Sequence, residues 1–310
     1  MFRCRKRIPL FTSTFAWFAV LALCFVPLFT SCGKIDLGDY VEKEDEGYTV
    51  KFSVEQYELS DFEGQEASAK PIKRERKEAK ELGNVLNIAI FSGDEKVAAV
   101  NQKSSDSDFG NVTVKLPEGD YQAVVIIHSC SGNATISNPQ KVTFPKNKLT
   151  DTFSYYSDFE VKGNTDMSIT VDRVVSKYRL TVEDAIPNGV KLMKFYYTGG
   201  SSTLDATTGF GCVNSRQTEY RKVTEREEGQ TFDVYTFPHD VRGQLKMTVS
   251  ALDNAGNKLE EHTFDDVPIE VKKVTNHTST FFGGSSGHTP SGGTRISIGG
   301  DNTWAGEIKY

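Results

Sequence analysis

The stretch GNVTVKLPEGDYQAVVIIHS, residues 110–129, decides the fold class of this chain. Valine, threonine and isoleucine dominate on both sides of Pro117-Glu118-Gly119-Asp120, and such β-branched residues are enriched in strands. The four residues between the two runs are typical of a turn, because proline and glycine favour the backbone angles that turns require. Two β-rich runs joined by such a turn predict a β-hairpin.

Alternating runs of this kind continue over most of the chain. They occur at residues 48–57 (YTVKFSVEQY), 84–93 (NVLNIAIFSG) and 243–264, where Asp253–Asn257 is predicted to form a turn between two runs. No amphipathic helix longer than about three turns is predicted. RERKEAKEL at residues 74–82 predicts only a short helix without an apolar face. Many short strands with polar turns predict an all-β protein built from β-sandwiches.

The length of the chain suggests two such bodies. Of its 310 residues, about 280 follow the apolar N-terminal segment, which fits one large or two medium domains. Alternation continues through VDRVVSKYRLTV at residues 171–182, where the chain is expected to pass from one body to the next. We therefore predict an N-terminal sandwich over residues 48–171 and a C-terminal sandwich over residues 172–310. Each has about 130 residues, enough for its own core.

The N-terminal residues have the features of a targeting signal. Four basic residues at positions 3–7 precede an apolar stretch at residues 11–29, which is the pattern of a secretory signal. That stretch is nearly as long as the roughly 20 apolar residues that span a bilayer, so a signal anchor is the alternative. The following Thr30-Ser31-Cys32-Gly33 resembles the lipobox of bacterial lipoproteins. This resemblance implies a lipoprotein signal peptide over residues 1–31, cleavage between Ser31 and Cys32, and diacylation of Cys32 through its sulfur.

Lipidation and charge together predict the surroundings of the mature chain. Each buried lipid CH₂ contributes about 0.8 kcal/mol, and two or three acyl chains make a stable anchor. Residues 1–31 contain four basic residues and no acidic ones, so their removal changes the formal net charge from −6 to −10. Such an acidic chain is a poor match for nucleic acid, which binds basic surfaces. The acidic segment 32–47 is predicted to be a flexible tether.

Patterns for catalysis and metal binding are weak. GGSSG at residues 283–287 matches the nucleophile-elbow pattern with Ser285 as nucleophile, but a glycine-rich loop follows it where that motif requires a helix. The five histidines are scattered. Asp106, Asp108 and Asn111 have the spacing of calcium-binding oxygens without the later bidentate glutamate, so a polar turn is the favoured interpretation. We predict no catalytic residue, metal or cofactor, and therefore no enzyme; a secreted hydrolase is the least favoured alternative.

Cysteine and aromatic residues leave two questions open. Cys130 and Cys212 are the only cysteines after Cys32, too few for a disulfide scaffold, and we interpret them as buried small residues, with a single bridge as the alternative. Exposed aromatic rings can stack on sugars, whereas buried ones pack in cores and pair across strands. The candidates for either role are Trp304, Tyr155, Tyr156, Tyr196 and Tyr197.

Several stretches together resemble one family. The lipobox is followed by an alternating strand, then by VTVKLPEGDYQAVVIIH, ITVDRVVSKYRLTV and VYTFPHDVRGQLKMTVSALDNAGN, and the chain closes with VPIEVKKVTNHTSTFFGG and RISIGGDNTWAGEIKY. In this order they resemble the fimbrillin-type lipoproteins of Bacteroidales, and in particular the fimbrial anchor group. The resemblance implies two tandem transthyretin-like β-sandwich domains, a cell-surface lipoprotein of the outer membrane, and assembly into fimbriae that support adhesion.

Assembly of such sandwiches is expected to proceed by strand donation. A sandwich that loses one strand exposes unpaired backbone groups beside an apolar core, and a segment of a neighbouring subunit can fill the groove. One candidate is the first strand, and the other is the end of the chain at residues 305–310. The candidate inward residues of the first strand are Tyr48, Val50, Phe52 and Val54, and those near the end of the chain are Trp304, Ile308 and Tyr310.

The resemblance leaves two assembly roles open. In stalk subunits of the family, an arginine-directed protease removes the first strand. Arg74 and Arg76, which follow that strand, are the candidates for such a cut, and a solvated charged loop is the alternative interpretation. In an anchor subunit the first strand stays, and Cys32 holds the base of the fimbria in the outer membrane.

The function predicted from these observations is a non-enzymatic fimbrial subunit, and more specifically the lipid-anchored base. Its expected partners are other fimbrial subunits, the outer membrane through acylated Cys32, and a host protein or glycan receptor. A stalk or tip subunit, or an outer-membrane lipoprotein that captures glycans, are the alternatives.

Overall fold

The computed structural model describes residues 47–59, 74–283 and 295–299. Strands account for 62% of the structure and helix for 3%, so the predicted all-β fold of β-sandwiches is confirmed. Within the described residues no helix is long and apolar enough to cross a membrane. One short α-helix, α1, covers Ala79–Leu82, and a 3-10 helix covers Pro145–Asn147. The strands, numbered in chain order, are β1 (Tyr48–Leu59), β2 (Arg74–Glu78), β3 (Val85–Ser92), β4 (Glu95–Lys103), β5 (Asn111–Leu116), β6 (Gly119–His128), β7 (Thr135–Asn138), β8 (Lys141–Thr143), β9 (Thr152–Val161), β10 (Thr165–Thr170), β11 (Asp172–Arg173), β12 (Ser176–Val182), β13 (Leu192–Thr198), β14 (Thr203–Asp205), β15 (Phe210–Gly211), β16 (Gln217–Lys222), β17 (Gln230–Thr236), β18 (Arg242–Leu252), β19 (Lys258–Glu270), β20 (Val274–Ser279) and β21 (Arg295–Gly299).

Two sheets form the N-terminal sandwich. In the first sheet β1 pairs in parallel with β10 and antiparallel with β5 and β2. The second sheet has the order β11-β9-β6-β3-β4 and is antiparallel throughout. The inward side chains of both sheets share one apolar core, in which Phe52, Ile88 and Ile127 are at most 2% exposed. Alternation along each strand brings these side chains to the same face.

The C-terminal sandwich repeats this construction. Its sheets have the orders β17-β12-β20-β21 and β16-β13-β18-β19. β12 and β20 run parallel, and the other neighbours run antiparallel. Tyr178, Phe195 and Val249 lie in the core between the two sheets and are at most 1% exposed.

A fifth sheet and a shared core join the two sandwiches. β7 and β8 belong to the first half of the chain and β14 and β15 to the second, yet they form one sheet in the order β15-β14-β8-β7. Phe91, Val142 and Phe237 are fully buried in the core beneath it. This core covers the outer face of β3 and β6, so β6 is buried on both faces. A strand buried on both faces reads as a continuous apolar run, which explains AVVII at residues 123–127.

The predicted hairpin at residues 110–129 is wrong. β5 pairs with β1, whereas β6 pairs with β3 and β9, so the turn carries the chain from one sheet of the sandwich to the other. The Tyr121 hydroxyl donates a hydrogen bond to Pro117 O at 3.0 Å across this corner. Leu116 and Tyr121 both point into the core between the sheets, and local alternation is the same for a hairpin and for such a crossing.

Two other local predictions have different outcomes. Residues 74–82 form a strand, β2, before the short α1, because the charged residues of β2 pair along β1. The turn at Asp253–Asn257 is confirmed between β18 and β19. The Asp253 carboxylate accepts hydrogen bonds from the backbone N–H groups of Ala255 and Asn257, each at 2.8 Å, which closes the turn.

Candidate strand-exchange site

The first strand contributes its alternate side chains to the core of the N-terminal sandwich. Val50, Phe52 and Val54 are 0%, 1% and 6% exposed. The Phe52 ring meets Phe159 of the opposite sheet edge to face, with centroids 5.8 Å apart. Tyr48 was predicted to share this face, but it lies at the start of β1 and is 38% exposed. Three successive inward residues therefore tie β1 to the core.

Both backbone edges of β1 are paired over most of its length. β10 covers one edge from Val50 to Glu55, and on the other edge β5 covers residues 48–53 and β2 covers residues 55–59. At the junction of β5 and β2, the Val54 N–H donates to Gly110 O at 2.8 Å. Gly110 has φ of 90°, and a Cβ there would lie 2.8 Å from the Ala79 Cβ. The left-handed backbone and this close approach together require glycine.

Arg74 and Arg76 lie within β2, not in a charged loop. Arg74 is opposite Leu59 and Arg76 is opposite Tyr57 in the antiparallel ladder with β1. The Arg76 Nε lies 2.5 Å from a carboxylate oxygen of Glu55, whose side chain is only 10% exposed. The preceding residues 60–73 contain no arginine. Cleavage after either arginine therefore requires a backbone segment that is already hydrogen-bonded to β1.

Loss of β1 would open a groove in the N-terminal sandwich. Without β1, β10 would lose its paired neighbour and β5 and β2 would lose theirs, so both sides of an elongated groove would present unpaired N–H and C=O groups. The floor of the groove would be the apolar core around Val50, Phe52 and Val54. Such a groove accepts an extended segment with apolar residues at alternate positions.

The last described strand has a different position. β21 pairs with β20, from Thr278 opposite Arg295 to Val274 opposite Gly299, and it is the last strand of its sheet order. Ile298 is its buried side chain, at 7% exposed. The remaining candidates, namely Ser31, Cys32, Trp304, Ile308 and Tyr310, lie outside the described residues.

Cys130 and Cys212 are not joined. Cys130 is buried and Cys212 is exposed, and both are free thiols. The interpretation as buried small residues therefore holds for Cys130 and is wrong for Cys212. The Cys130 thiol donates to Lys148 O at 3.2 Å. Burial raises the pKa of the Cys130 thiol, and partial desolvation raises the pKa of the Cys212 thiol, so both stay protonated and poorly nucleophilic at neutral pH.

Two histidines are buried in hydrogen-bonded sites that the sequence did not reveal. His128 ends β6; its Nδ1 accepts the Cys130 N–H at 3.0 Å, and its Nε2 lies 3.0 Å from Asn87 Oδ1. His277 Nδ1 lies 2.5 Å from the Tyr178 hydroxyl. Burial lowers the pKa of each imidazole to about 4, so both are neutral at physiological pH. Their partners indicate structural roles.

The candidate sugar-stacking tyrosines divide into buried and exposed groups. Tyr197 is 1% exposed, and its hydroxyl donates to Tyr235 O at 2.8 Å, so it is a core residue. Tyr155 and Tyr156 are half-buried. Tyr196 is 38% exposed on the outer face of β13, and Tyr220 on the neighbouring β16, which sequence reasoning missed, is 49% exposed. Tyr196 and Tyr220 therefore form the accessible aromatic pair.

The described residues contain no group of three or more histidine, cysteine or acidic side chains arranged to hold a metal ion. In the loop considered for calcium, the Asp106 carboxylate accepts the Lys103 N–H at 2.8 Å, as in a polar turn. Ser285 lies outside the part of the chain that the structure describes.

The chain is similar to one protein family and to several solved structures. A family model described as the fimbrillin-A associated anchor proteins Mfa1 and Mfa2 matches residues 42–304. Among solved structures, the fimbrial anchor protein Mfa2 from Porphyromonas gingivalis is similar at 10% identity and TM-score 0.40, covering 84% of this chain and 99% of that one. A fimbrial assembly protein from Parabacteroides distasonis has 12% identity, TM-score 0.41 and coverages of 75% and 90%. A candidate adhesin from Bacteroides ovatus has 14% identity, TM-score 0.47 and coverages of 77% and 88%. No curated protein matches the sequence significantly.

Proposed function

The chain belongs to the family of fimbrillin-A associated anchor proteins Mfa1 and Mfa2, and from that premise we propose that it is the lipid-anchored base of a fimbria. In this proposal Cys32 carries the acyl chains, residues 32–47 form the tether, and two domains divided near Val171 follow. The protein resides at the cell surface in the outer membrane and acts without catalysis. The observation that carries the proposal is the family match, which spans both sandwiches.

The position of the two arginines favours an anchor over a stalk subunit. A protease needs an extended, unpaired segment in its cleft, and β2 is paired with β1 where Arg74 and Arg76 lie. Because the preceding segment of residues 60–73 has no arginine, an arginine-directed cut cannot shift to it. We therefore propose that β1 stays in place and that the N-terminal sandwich remains closed.

Assembly with other fimbrial subunits then involves the opposite end of the chain. β21 is the last strand of its sheet order, and such a strand can be extended by, or exchanged for, a segment of another chain. We propose that the segment from β21 to Tyr310 makes the contact with the next subunit. This contact supports adhesion indirectly, by holding the fimbria on the cell.

Two variants test the proposal in membrane fractions. Cys32→Ala should release the polypeptide from outer membranes, whereas Cys212→Ala, an exposed thiol outside the lipobox, should leave it there. Deletion of residues 300–310 should preserve membrane attachment and abolish recovery of other fimbrial subunits with the protein. Firm membrane attachment of Cys32→Ala would contradict the lipid anchor, and undiminished recovery of subunits after the deletion would contradict the proposed contact.

A second candidate function, glycan capture, is favoured by one observation. In the register of β13 and β16, Tyr196 is opposite Thr218 and Tyr220 is opposite Lys194. The two exposed residues are thus diagonal neighbours on one face, and such positions in a sheet are about 7–8 Å apart. Replacing both tyrosines by alanine should remove binding on a glycan array, and Leu259→Ala, at an exposed residue of β19, is the control. Equal binding by both variants would contradict this second function.

A further inference from the structure

Each sandwich contains a parallel strand pair that includes the strand by which the chain enters it. β1 is the first strand of the N-terminal sandwich, and it runs parallel to β10 through six residue pairs, from Val50 opposite Thr165 to Glu55 opposite Thr170. β12 opens the C-terminal sandwich, and it runs parallel to β20 through six residue pairs, from Lys177 opposite Val274 to Val182 opposite Ser279. These are the two parallel pairs among the described strands.

Parallel pairing fixes how each pair responds to a pulling force. The start of β1 and the end of β10 lie at opposite ends of their ladder, because the strands run in the same direction. A force applied between these points slides one strand along the other and loads all the ladder hydrogen bonds together. A force applied at one end of a ladder instead opens the bonds one after another. The same reasoning applies to β12 and β20.

Further hydrogen bonds extend both ladders. At the start of the first pair, the Asn164 side-chain oxygen accepts the Thr49 N–H at 2.8 Å, and at its end Glu55 O accepts the Val171 N–H at 3.0 Å. The second pair is extended in the same way: Lys273 O accepts the Lys177 N–H at 3.1 Å, and Ser279 O accepts the Glu183 N–H at 3.0 Å. Each ladder therefore has additional hydrogen bonds at its two ends, where a sliding force would be applied.

The segment that connects β10 to β12 is also fixed by hydrogen bonds. Val174 N–H donates to Thr152 O at 3.0 Å, and the Arg173 guanidinium makes a bidentate contact with Asp151, with both distances at 2.7 Å. In addition, β8 of the first half of the chain pairs with β14 of the second half. Force that leaves β10 therefore reaches β12 through a segment that is fixed to β9.

We propose that the two parallel pairs are mechanical clamps in series, which give this protein a force-bearing function. They resist tension between the N-terminal tether and the end of β20. A load applied at the end of β21, where the proposed contact with the next subunit begins, first peels β21 from β20, because the two strands pair antiparallel and Gly299 lies opposite Val274. The load then reaches the end of β20 and the second clamp. The biological use of the clamps rests on the proposed function, because the lipid anchor supplies the fixed end. The mechanical property belongs to the fold itself.

The test pulls the same strand pair in two directions. Protein purified from cells that express the full chain carries optical-trap handles on non-natural residues at positions 46 and 170, which slide β1 along β10. The matched protein carries handles at positions 46 and 163, which pull the pair apart from one end. Gly163 has open space around its Cβ position and Thr170 is exposed, so neither handle disturbs the core.

We expect a several-fold higher unfolding force for the pair 46 and 170 at the same loading rate, since forced unfolding reports the barrier along the pulled direction. Handles at 46 and 284 should also give the high force, because both clamps then act in series. Equal forces for 46–170 and 46–163 would overturn the proposal. Urea unfolding of the handle-bearing proteins verifies that they are equally stable. The result does not depend on lipid at Cys32, so failure of the clamps and failure of the anchor are distinguishable.

Discussion

The two sandwiches share a construction and differ in where their terminal strands lie. In the N-terminal sandwich the first strand, β1, has neighbours on both edges and three side chains in the core. In the C-terminal sandwich the last described strand, β21, pairs with β20 alone among the described strands, and Ile298 is the one buried side chain that the structure describes in it. The difference teaches that the two ends of the chain are not equivalent partners for strand exchange: removal of β1 disrupts a core, whereas removal of β21 uncovers an edge.

The largest expected contrast comes from truncating one buried residue at each end. Phe52→Ala should lower the free energy of unfolding by about 3–5 kcal/mol, because it removes a fully buried ring and its contact with Phe159. Ile298→Ala should cost about half of that or less, since β21 has one neighbour. Urea unfolding measures both, with the exposed Ser53→Ala as control. Equal losses for Phe52→Ala and Ile298→Ala would break the comparison between the two strands.

Acid should weaken the C-terminal sandwich through His277. Its imidazole is fully buried against Tyr178 and the Phe264 ring, and burial lowers its pKa from 6.5 to about 4. The unfolded chain therefore binds the proton first, and stability is lost as pH falls from about 6.5 to about 4, by roughly 3 kcal/mol in total.

Replacing His277 and Tyr178 together by phenylalanine should remove this part of the pH dependence without leaving either hydroxyl or imidazole unpaired. Urea unfolding at pH 7 and pH 4.5 measures the change. His128, with the same lowered pKa, continues to contribute in the variant and serves as the internal reference. An unchanged pH dependence would show that His277 does not sense the acid transition.

A pair of proline variants tests whether a continuous ladder of hydrogen bonds joins β10 to β1. The Val171 N–H donates to Glu55 O, so by alternation the Met167 N–H also points to β1 and the Ser168 N–H points away. Met167→Pro should cost about 1–3 kcal/mol through the lost ladder bond, and Ser168→Pro should cost clearly less. Equal costs in urea unfolding would argue against a continuous ladder between β1 and β10.

The smallest expected effect concerns the ion pair between Arg76 and Glu55. Arg76→Gln should change the free energy of unfolding by less than about 1 kcal/mol, because the arginine side chain is 63% exposed. It should nevertheless remove one of the two candidate cleavage positions. Digestion by an arginine-specific protease should be equally slow for this variant and for the parent chain, if β2 is protected by pairing. Rapid cleavage of the parent after Arg76 would contradict that protection.

The strands were predictable and their assignment to sheets was not. Alternation placed Val50, Phe52 and Val54 on one face, because a half-buried strand repeats every two residues. The same alternation could not show that β5 and β6 belong to opposite sheets, since both orient apolar residues toward the shared core. The unbroken run at residues 123–127 was the available signal that β6 has two buried faces.

At the candidate site, too, the sequence did not reveal which strands pair or which side chains face solvent. The charges of residues 74–78 concealed β2, which forms through backbone pairing with β1 and needs no apolar face. Tyr220 was missed because its exposure depends on which side of β16 faces the interior, a property of tertiary packing. The parallel pairing of β1 with β10 joins residues more than a hundred positions apart, and nothing in the local pattern encodes it.

The most direct test of the anchor account is the intact mass and N-terminal sequence of the protein recovered from outer membranes. The account predicts a chain that begins at diacylated Cys32 and retains Tyr48 through Arg76 in its N-terminal sandwich. A surface form that begins at Glu75 or Lys77, without lipid, would contradict it.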